Sequence, residues 1–365
     1  MTRIAFYAPL KDPDHPVPSG ERTMARLLLR ALYAAGFAPE VASRLRTRDP
    51  DGTRHPAMRA EALAEAGRLV AAFRADPPAM WFTYHVYYKA PDWIGPAVAS
   101  ALGIPYVVAE GSRSARRADG PHALGHAGAE AALDAADLIL VMNRRDRPAL
   151  EAARPGGQVL ADLPPFLDPA DWPLAGAPRA PGPMRLLTVA MMREGDKLAS
   201  YRLLADVLAQ LDDLPWTLDI AGGGPAADAV AALLASFGPR LRRHGAVGPS
   251  ALSALYAAAD LLVWPAVNEA YGMALLEAQA HGCPVIAGGY GGVPDVVQDG
   301  LAGRVTPPGD AAAMAAAIRD LAAAPGTLAA MRGRALTFAR TERGLDAAAS
   351  ALRSVLGPLL AGSRG

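Results

Sequence analysis

The stretch Asn268 to Asp310, NEAYGMALLEAQAHGCPVIAGGYGGVPDVVQDGLAGRVTPPGD, decides how the second half of the chain folds. A helix pattern opens at Gly272-Met273, a short apolar strand follows around PVIA, and Gly288-Gly289 turns out of it. Glu269 precedes the Gly272-Met273 step, and Glu277 falls roughly one turn inside the helix. Gly272 lets backbone approach a ligand closely, and the helix start presents N–H groups to negative charge. Ionised carboxylates accept hydroxyl protons. Taken alone, the pair reads as a loop acid and an ordinary helix acid, and the surrounding sequence has to decide.

Working outward, strand-like and helix-like segments alternate, as in α/β layers around parallel sheets. Arg3 to Ala8 reads as a strand and Glu21 to Ala35 as an amphipathic helix. Ala60 to Arg74 is helical, and Ala79 to Tyr84, Ile104 to Ala109, Leu138 to Met142 and Val159 to Leu163 are strands, with a helix at Gly128 to Ala136. Alternation stops in DPADWPLAGAPRAPGPM, Asp168 to Met184, which is rich in Pro, Ala and Gly. It restarts with strand Arg185 to Ala190, helix Leu198 to Gln210 and strand Thr217 to Ala221. Helix Ala226 to Phe237, strand Leu241 to His244, helix Pro249 to Ala258 and strand Asp260 to Trp264 follow, with helices near Ala311 to Ala324 and Thr327 to Thr341. The expected organisation is residues 1–168, a linker 169–184, residues 185–341, and a terminal helical segment 342–365 packing back on the first domain. Ligands of such sheets bind beyond the carboxyl ends of the strands, so the expected site is a cleft facing both sheets.

The 365 residues suffice for two sizeable cores. Thirty-six basic and thirty-six acidic residues balance, which argues against a nucleic-acid partner. The one cysteine, Cys283, excludes an intramolecular disulfide and a multi-cysteine metal site, and reads as a small buried residue. MTRIAFYAP is already strand-like and no apolar run approaches bilayer length, so the chain is expected to be cytoplasmic, with membrane contact at most peripheral at the inner face. Only three lysines, Lys11, Lys89 and Lys197, stand against a large excess of arginine.

The opening stretch resembles the signature of family 4 retaining glycosyltransferases of the GT-B fold. The resemblance is carried by E-A-Y-G-M-x-x-x-E at Glu269 to Glu277, by A-x-G-x-P-V-I, and by G-G-x-P-D-V-V-x-D-G-x-x-G; Asp295 stands where that family more often has Glu. It is strong over roughly Met184 to Thr341. It implies a GT-B fold, two Rossmann-like parallel-sheet domains facing a central cleft, with acceptor bound by the first and nucleotide-sugar donor by the second. It gives Glu269 to the donor sugar, Glu277 to the ribose, and Tyr271, Gly272 and Met273 to the diphosphate.

In TVAMMREGDKLASYRLL, Arg193 and Lys197 would neutralise a departing pyrophosphate. Met191 occupies the family's usual arginine position, so the basic pair is shifted towards the helix. Gly222-Gly223-Gly224-Pro225 follows a strand; a dinucleotide fingerprint is the weak reading, and the resemblance makes it the turn lining the donor nucleotide. In the first domain, Ser19-Gly20 stands for the family's glycine-rich loop, placing Gly20 near the donor. His85 ends a strand where donor or acceptor hydroxyls are expected. Glu110 replaces a usual strand-end histidine and is assigned to the acceptor. Arg113, Arg116 and Arg117 form a basic loop that would meet an anionic acceptor such as a phosphorylated lipid or sugar, or is simply solvated.

The function this implies is retaining transfer of a sugar from a nucleotide diphosphate sugar to a sugar, lipid-linked or small-molecule acceptor, for cell-envelope polysaccharide or glycoconjugate synthesis. No cofactor and no metal are expected. Two other readings stay open: a non-catalytic nucleotide-sugar-binding protein on the same fold, and a nicotinamide-dependent dehydrogenase resting on the glycine turn alone.

Overall fold

The computed structural model describes residues 1–17, 19–174 and 182–362. Residue contacts divide the chain into two units, Met1–Pro164 with Leu345–Gly365, and Pro165–Gly344. Of the expected linker, residues 175–181 lie outside the described residues. Its start is a short turn, Pro169–Asp171, capped where the Ala170 amide donates to Asp168 Oδ1 at 2.8 Å.

The first unit runs β1 (Thr2–Tyr7), α1 (Gly20–Ala34), β2 (Phe37–Ser43), α2 (His55–Phe73), β3 (Met80–Val86) and α3 (Gly95–Leu102). It continues through β4 (Tyr106–Gly111), α4 (Ala123–Ala135), β5 (Leu138–Val141), α5 (Arg147–Ala152) and β6 (Val159–Asp162). All its strands are parallel, in the order β2-β1-β3-β4-β5-β6. Helices cover both faces of such a sheet, so central strands are apolar throughout, and in β3 only His85 escapes full burial. The core gathers Tyr7, Trp81, Ile94, Tyr106, Val108 and Leu133. One buried acid is satisfied inside it. Asp92 accepts from the Ile94 and Gly95 amides, from Thr83 Oγ1 at 2.6 Å and from Tyr106 Oη at 2.9 Å, which anchors the start of α3.

The second unit runs β7 (Met184–Val189), α6 (Asp196–Ala209), β8 (Trp216–Ala221), α7 (Ala227–Leu233), β9 (Leu241–Gly245) and α8 (Pro249–Ala258). It continues through β10 (Leu261–Trp264), α9 (Met273–Gln279), β11 (Val285–Gly288), α10 (Val293–Val296), β12 (Gly303–Thr306), α11 (Ala311–Ala323) and α12 (Pro325–Thr337). Its parallel order is β12-β11-β10-β7-β8-β9, the Rossmann order. The last helix, α13 (Leu345–Gly362), lies on α1, where the Arg353 guanidinium donates to the Ala34 and Ala35 carbonyls.

In each sheet the connection direction reverses once, between β1 and β3 and between β7 and β10, and a crevice opens beyond the carboxyl ends at such a point. Most strands were legible as apolar runs. β2 was not, because FAPEVAS is a half-exposed edge strand interrupted by Pro39. Gly303–Thr306, an edge of the second sheet, escaped because it is only four residues long with a half-exposed middle, and the helix starting at Gly128 by expectation begins at Ala123.

Candidate functional site

In the second unit the reversal between β7 and β10 brings Lys197 and Glu269 together. Lys197 is in the first turn of α6 behind β7, and Glu269 is in the loop leaving β10. They form an ion pair, and Trp264 Nε1 donates to the same carboxylate oxygen at 3.3 Å. The ammonium also stands 5.4 Å from the Trp264 ring centre, a cation–π arrangement. Two further bonds lock the loop to α6, and a third within α6 fixes one of the acceptors. The Val267 amide donates to Ser200 Oγ at 3.0 Å, Asn268 Nδ2 donates to Asp196 Oδ1 at 2.9 Å, and Ser200 Oγ donates to the Asp196 carbonyl at 2.9 Å.

The glycine turns explain how these loops approach so closely. At Gly222, φ is 146° and a Cβ would overlap the Ala190 carbonyl, so only glycine lets the turn after β8 sit against the loop after β7. At Gly291, φ is 53° and a Cβ would overlap the Glu269 carbonyl oxygen, while the Gly292 amide donates to the Ala270 carbonyl at 2.7 Å. Gly223 belongs to the first turn, with its carbonyl accepting from the Met192 amide at 2.9 Å. Arg193 is exposed on the loop entering α6, and Met191 beside it is 39% exposed.

Gly272, with φ 72°, is the N-cap of α9, Met273 is its first residue, and Tyr271 is buried just ahead. Glu277 lies on α9 beneath this turn. Tyr256 Oη donates to one of its oxygens at 2.9 Å. Burial outweighs that bond and pushes the Glu277 carboxyl up to about 7. Glu277 and Glu269 thus occupy distinct environments, one holding a lysine and the other a tyrosine.

In the first unit the reversal between β1 and β3 gathers a second set. Glu21, in the first turn of α1, is 2.9 Å from His85 Nδ1, and Glu110 at the end of β4 is 3.7 Å from the same nitrogen. Tyr84 Oη donates to Glu21 Oε2 at 3.2 Å. Burial disfavours the imidazolium, but Glu110 and Glu21 outweigh it and raise His85 to about 9. Glu21 was missed by sequence reasoning. The available signal was an acid in a helix's first turn, just after the loop leaving β1, which the Ser19 cap would have marked. Trp264 was missed as well, read only as a strand end.

The remaining expected residues are dispersed. Gly20 opens α1, and a Cβ there would meet open space. Arg113 is folded onto α4, bonded to Glu130 and, at 2.6 Å, to Asp134, so its charge is already balanced within the unit. Arg116 is exposed on a single turn of helix. Cys283 is fully buried.

Comparison with known proteins bears on the fold and on the second unit. The model of the family described as Glycosyl transferases group 1 matches residues 183–324. D-inositol 3-phosphate glycosyltransferase of Streptomyces avermitilis is 42% identical over 109 residues, 30% of this chain and 23% of that protein. The protein of the same description from Actinosynnema mirum is 40% identical over 93 residues, 26% of this chain and 22% of that one. The alignments therefore span about a quarter of these relatives. Among solved structures, sucrose-phosphate synthase from Thermosynechococcus elongatus superposes with TM-score 0.73 at 21% identity, covering 99% of this chain and all of that one. Anabaena Alr3699/HepE in complex with UDP gives 0.72 at 14% identity, covering 98% of this chain and all of that one. At such identities the likeness establishes the fold alone, and the fold is GT-B.

Proposed function

We propose, for a GT-B chain whose residues 183–324 match the group 1 glycosyl transferases, that it transfers a sugar from a nucleotide diphosphate sugar to an acceptor with retention at the anomeric carbon. The observation that carries this reading is the Lys197–Glu269 pair at the reversal point of the Rossmann-order sheet, between glycine turns that admit no side chain. The second unit binds the donor and the first the acceptor.

As the diphosphate leaves, positive charge grows at the anomeric carbon and negative charge on the leaving oxygens. In this reading Lys197 and the exposed Arg193 stabilise the leaving group, with the first amides of α9 adding fixed dipoles. This supply of charge from side chains is why we read the reaction as metal-independent. Glu269 orients Lys197 and holds sugar hydroxyls. Glu277 accepts ribose hydroxyls. The resemblance to retaining enzymes assigns deprotonation of the acceptor to the departing phosphate. In the first unit His85, kept cationic by Glu21 and Glu110, donates to donor or acceptor oxygens.

Two measurements test this. Thermal shifts with UDP-, GDP- and ADP-sugars identify the donor, since a ligand that binds only the folded state raises its stability. Transfer and donor hydrolysis are then compared in wild type and Glu269→Ala. Binding of a nucleotide sugar without turnover in the wild type, across a panel of acceptors, would replace this reading by that of a non-catalytic binding protein.

A further inference from the structure

Three loops leave the carboxyl ends of β2, β3 and β4, spanning residues 44–54, 87–91 and 112–122, and they close on one another. The Asp49 amide donates to the Lys89 carbonyl at 2.8 Å, Thr47 Oγ1 donates to the Pro91 carbonyl at 2.6 Å, and the Tyr88 and His122 rings meet edge-on at 5.0 Å. Into this junction the loops bring Arg46, Arg48, Arg54, Lys89 and Arg117. Five other arginines of the unit pair with acids, Arg3 with Asp76, Arg44 with Asp14, Arg68 with Glu65, Arg113 with Glu130 and Asp134, and Arg147 with Glu151 and Asp162, whereas Arg22, Arg26 and Arg353 donate to backbone carbonyls. Among the described residues, none of the five junction cations forms an ion pair with a carboxylate. The buried acid of the junction, Asp49, gives its oxygens to the Asp51 and Arg54 amides, at 3.3 and 2.7 Å.

The cations are held in place by groups that leave their charge uncancelled. Arg46 Nε donates to the Leu10 carbonyl at 3.0 Å, and Arg48 stands beside the Tyr87 hydroxyl. Lys89 Nζ and Arg117 Cζ stand 5.7 and 5.0 Å from the centre of one ring, Tyr88. Burial lowers the Arg46 guanidinium, and repulsion from Arg48 and Arg54 lowers it further. A second observation lies at the same junction. His122 is 7% exposed and its Nδ1 has no partner among the described residues. His55 behind it, 6.1 Å away ring to ring, is fully buried with neither ring nitrogen bonded. Burial, then Lys89, His55 and Arg117, lower His122, which leaves a neutral imidazole with a hydrogen-bonding edge to offer.

Like charges clustered without counter-ions raise the energy of the folded protein, and a compact anion with several acceptor oxygens relieves that. We propose that this junction binds the phosphate of a phosphomonoester-bearing acceptor, with Arg46, Arg48, Lys89 and Arg117 supplying charge and His122 a hydrogen bond. Calling the ligand an acceptor rests on the transferase reading above, whereas its binding does not.

The test is binding to the resting protein, without donor or turnover, so that it fails independently of the Glu269 experiment. Glucose 6-phosphate, glucose and inorganic phosphate are titrated by calorimetry, and vesicles of phosphatidylcholine with and without phosphatidic acid are tested by flotation. Wild type is compared with Lys89→Gln/Arg117→Gln and with Arg48→Gln, each checked by circular dichroism for native fold. Glucose 6-phosphate is expected to bind at least tenfold tighter than glucose, to weaken with salt, and to lose at least tenfold in the double variant. Flotation with phosphatidic acid alone, abolished in the same variants, places the phosphate on a lipid. Equal affinity for glucose and glucose 6-phosphate with no vesicle binding, or anion binding unchanged in all variants, overturns the proposal.

Discussion

Removing Glu269 should affect stability a little and turnover a great deal. Its carboxylate and the Lys197 ammonium have side-chain exposures of 17% and 24%, between the surface and the interior. Exposed pairs contribute about 0–1 kcal/mol, and stripping one partner from a fully buried pair costs about 3–5 kcal/mol, so Glu269→Ala should cost roughly 2 kcal/mol of folding free energy. Part of that loss is the Trp264 indole N–H left without its acceptor. On rate the expected loss is larger, because a preorganised group that meets developing charge contributes about 10²–10³ in kcat. A double-mutant cycle makes the claim specific. If Glu269 acts partly by aiming Lys197, then Lys197→Met and Glu269→Ala are strongly non-additive, and the double variant turns over about as slowly as the worse single variant. Glu269→Gln, which keeps an acceptor for Trp264 but loses the charge, should recover most of the stability and little of the rate. Donor turnover is followed by release of the nucleoside diphosphate, and stability by urea unfolding. Turnover of Glu269→Ala within threefold of wild type, or losses that multiply as independent effects, would refute the shared role.

Gly291→Ala should cost roughly 2–4 kcal/mol in urea unfolding, because φ is 53° and the new Cβ would overlap the Glu269 carbonyl, combining left-handed strain with overpacking. Glu277, raised to about 7 by burial, binds its proton more tightly when folded than when unfolded, so its contribution to stability is full below about pH 4.5 and is lost as pH rises through about 7. Melting curves of wild type minus Glu277→Gln across pH 4–8 should show that loss, at most about 3 kcal/mol before solvent screening. His85 is also raised, to about 9, so its stabilisation is full below its ordinary value of 6.5 and disappears as pH climbs through about 9. In Glu21→Gln the nearest carboxylate charge is gone, and the decline in stability between pH 6.5 and 9 should shrink and shift to lower pH.

The sequence made the donor half of the candidate site readable and the other half much less so, for a physical reason. Around Glu269 and Glu277 the chemistry is local: two acids, a glycine-started helix and the glycine turn through Gly291 lie within about two dozen residues, and their spacing reports on one loop and one helix. The pairing of Lys197 with Glu269 spans 72 positions; leaving-group chemistry and the family resemblance assigned both to the donor, but their contact shows only once the sheet order sets β7 beside β10. In the first unit the partners come from three different strand ends. Glu21 reaches His85 across 64 positions, and nothing in the helix pattern of α1 separates an acid aimed at a histidine from one that merely favours a helix start. The convergence of Arg46, Lys89 and Arg117 was hidden similarly. Arginine is abundant in this chain, so an unpaired arginine stands out only once the carboxylates around its neighbours are placed.

The backbone itself marks the same two regions. Among the described residues four that are not glycine have positive φ: His85 at 65°, Glu110 at 64°, Ala266 at 59° and Asn268 at 50°. Each such conformation costs roughly 1–3 kcal/mol for most residues, less for Asn and His, and glycine would adopt it freely. All four lie at or just past the carboxyl ends of β3, β4 and β10, strands that form or adjoin the two points where the sheets reverse direction. The need for a sharp exit from a strand explains the φ values but not the side chains, since glycine meets that need at lower cost. The side chains account for most of the remainder. His85 and Glu110 face each other with Glu21, and Asn268 ties the β10 loop to the first turn of α6 that carries Lys197. Ala266 offers only a buried methyl group, and nothing in the structure explains why it is not glycine. Strain therefore persists where a polar group is needed at a strand end, and the well-packed sheets beneath hold it there. That pairing of rigid strands with strained, polar exits gives independent reason to place the chemistry at these strand ends, because it rests on backbone angles and not on the motif by which the site was first read.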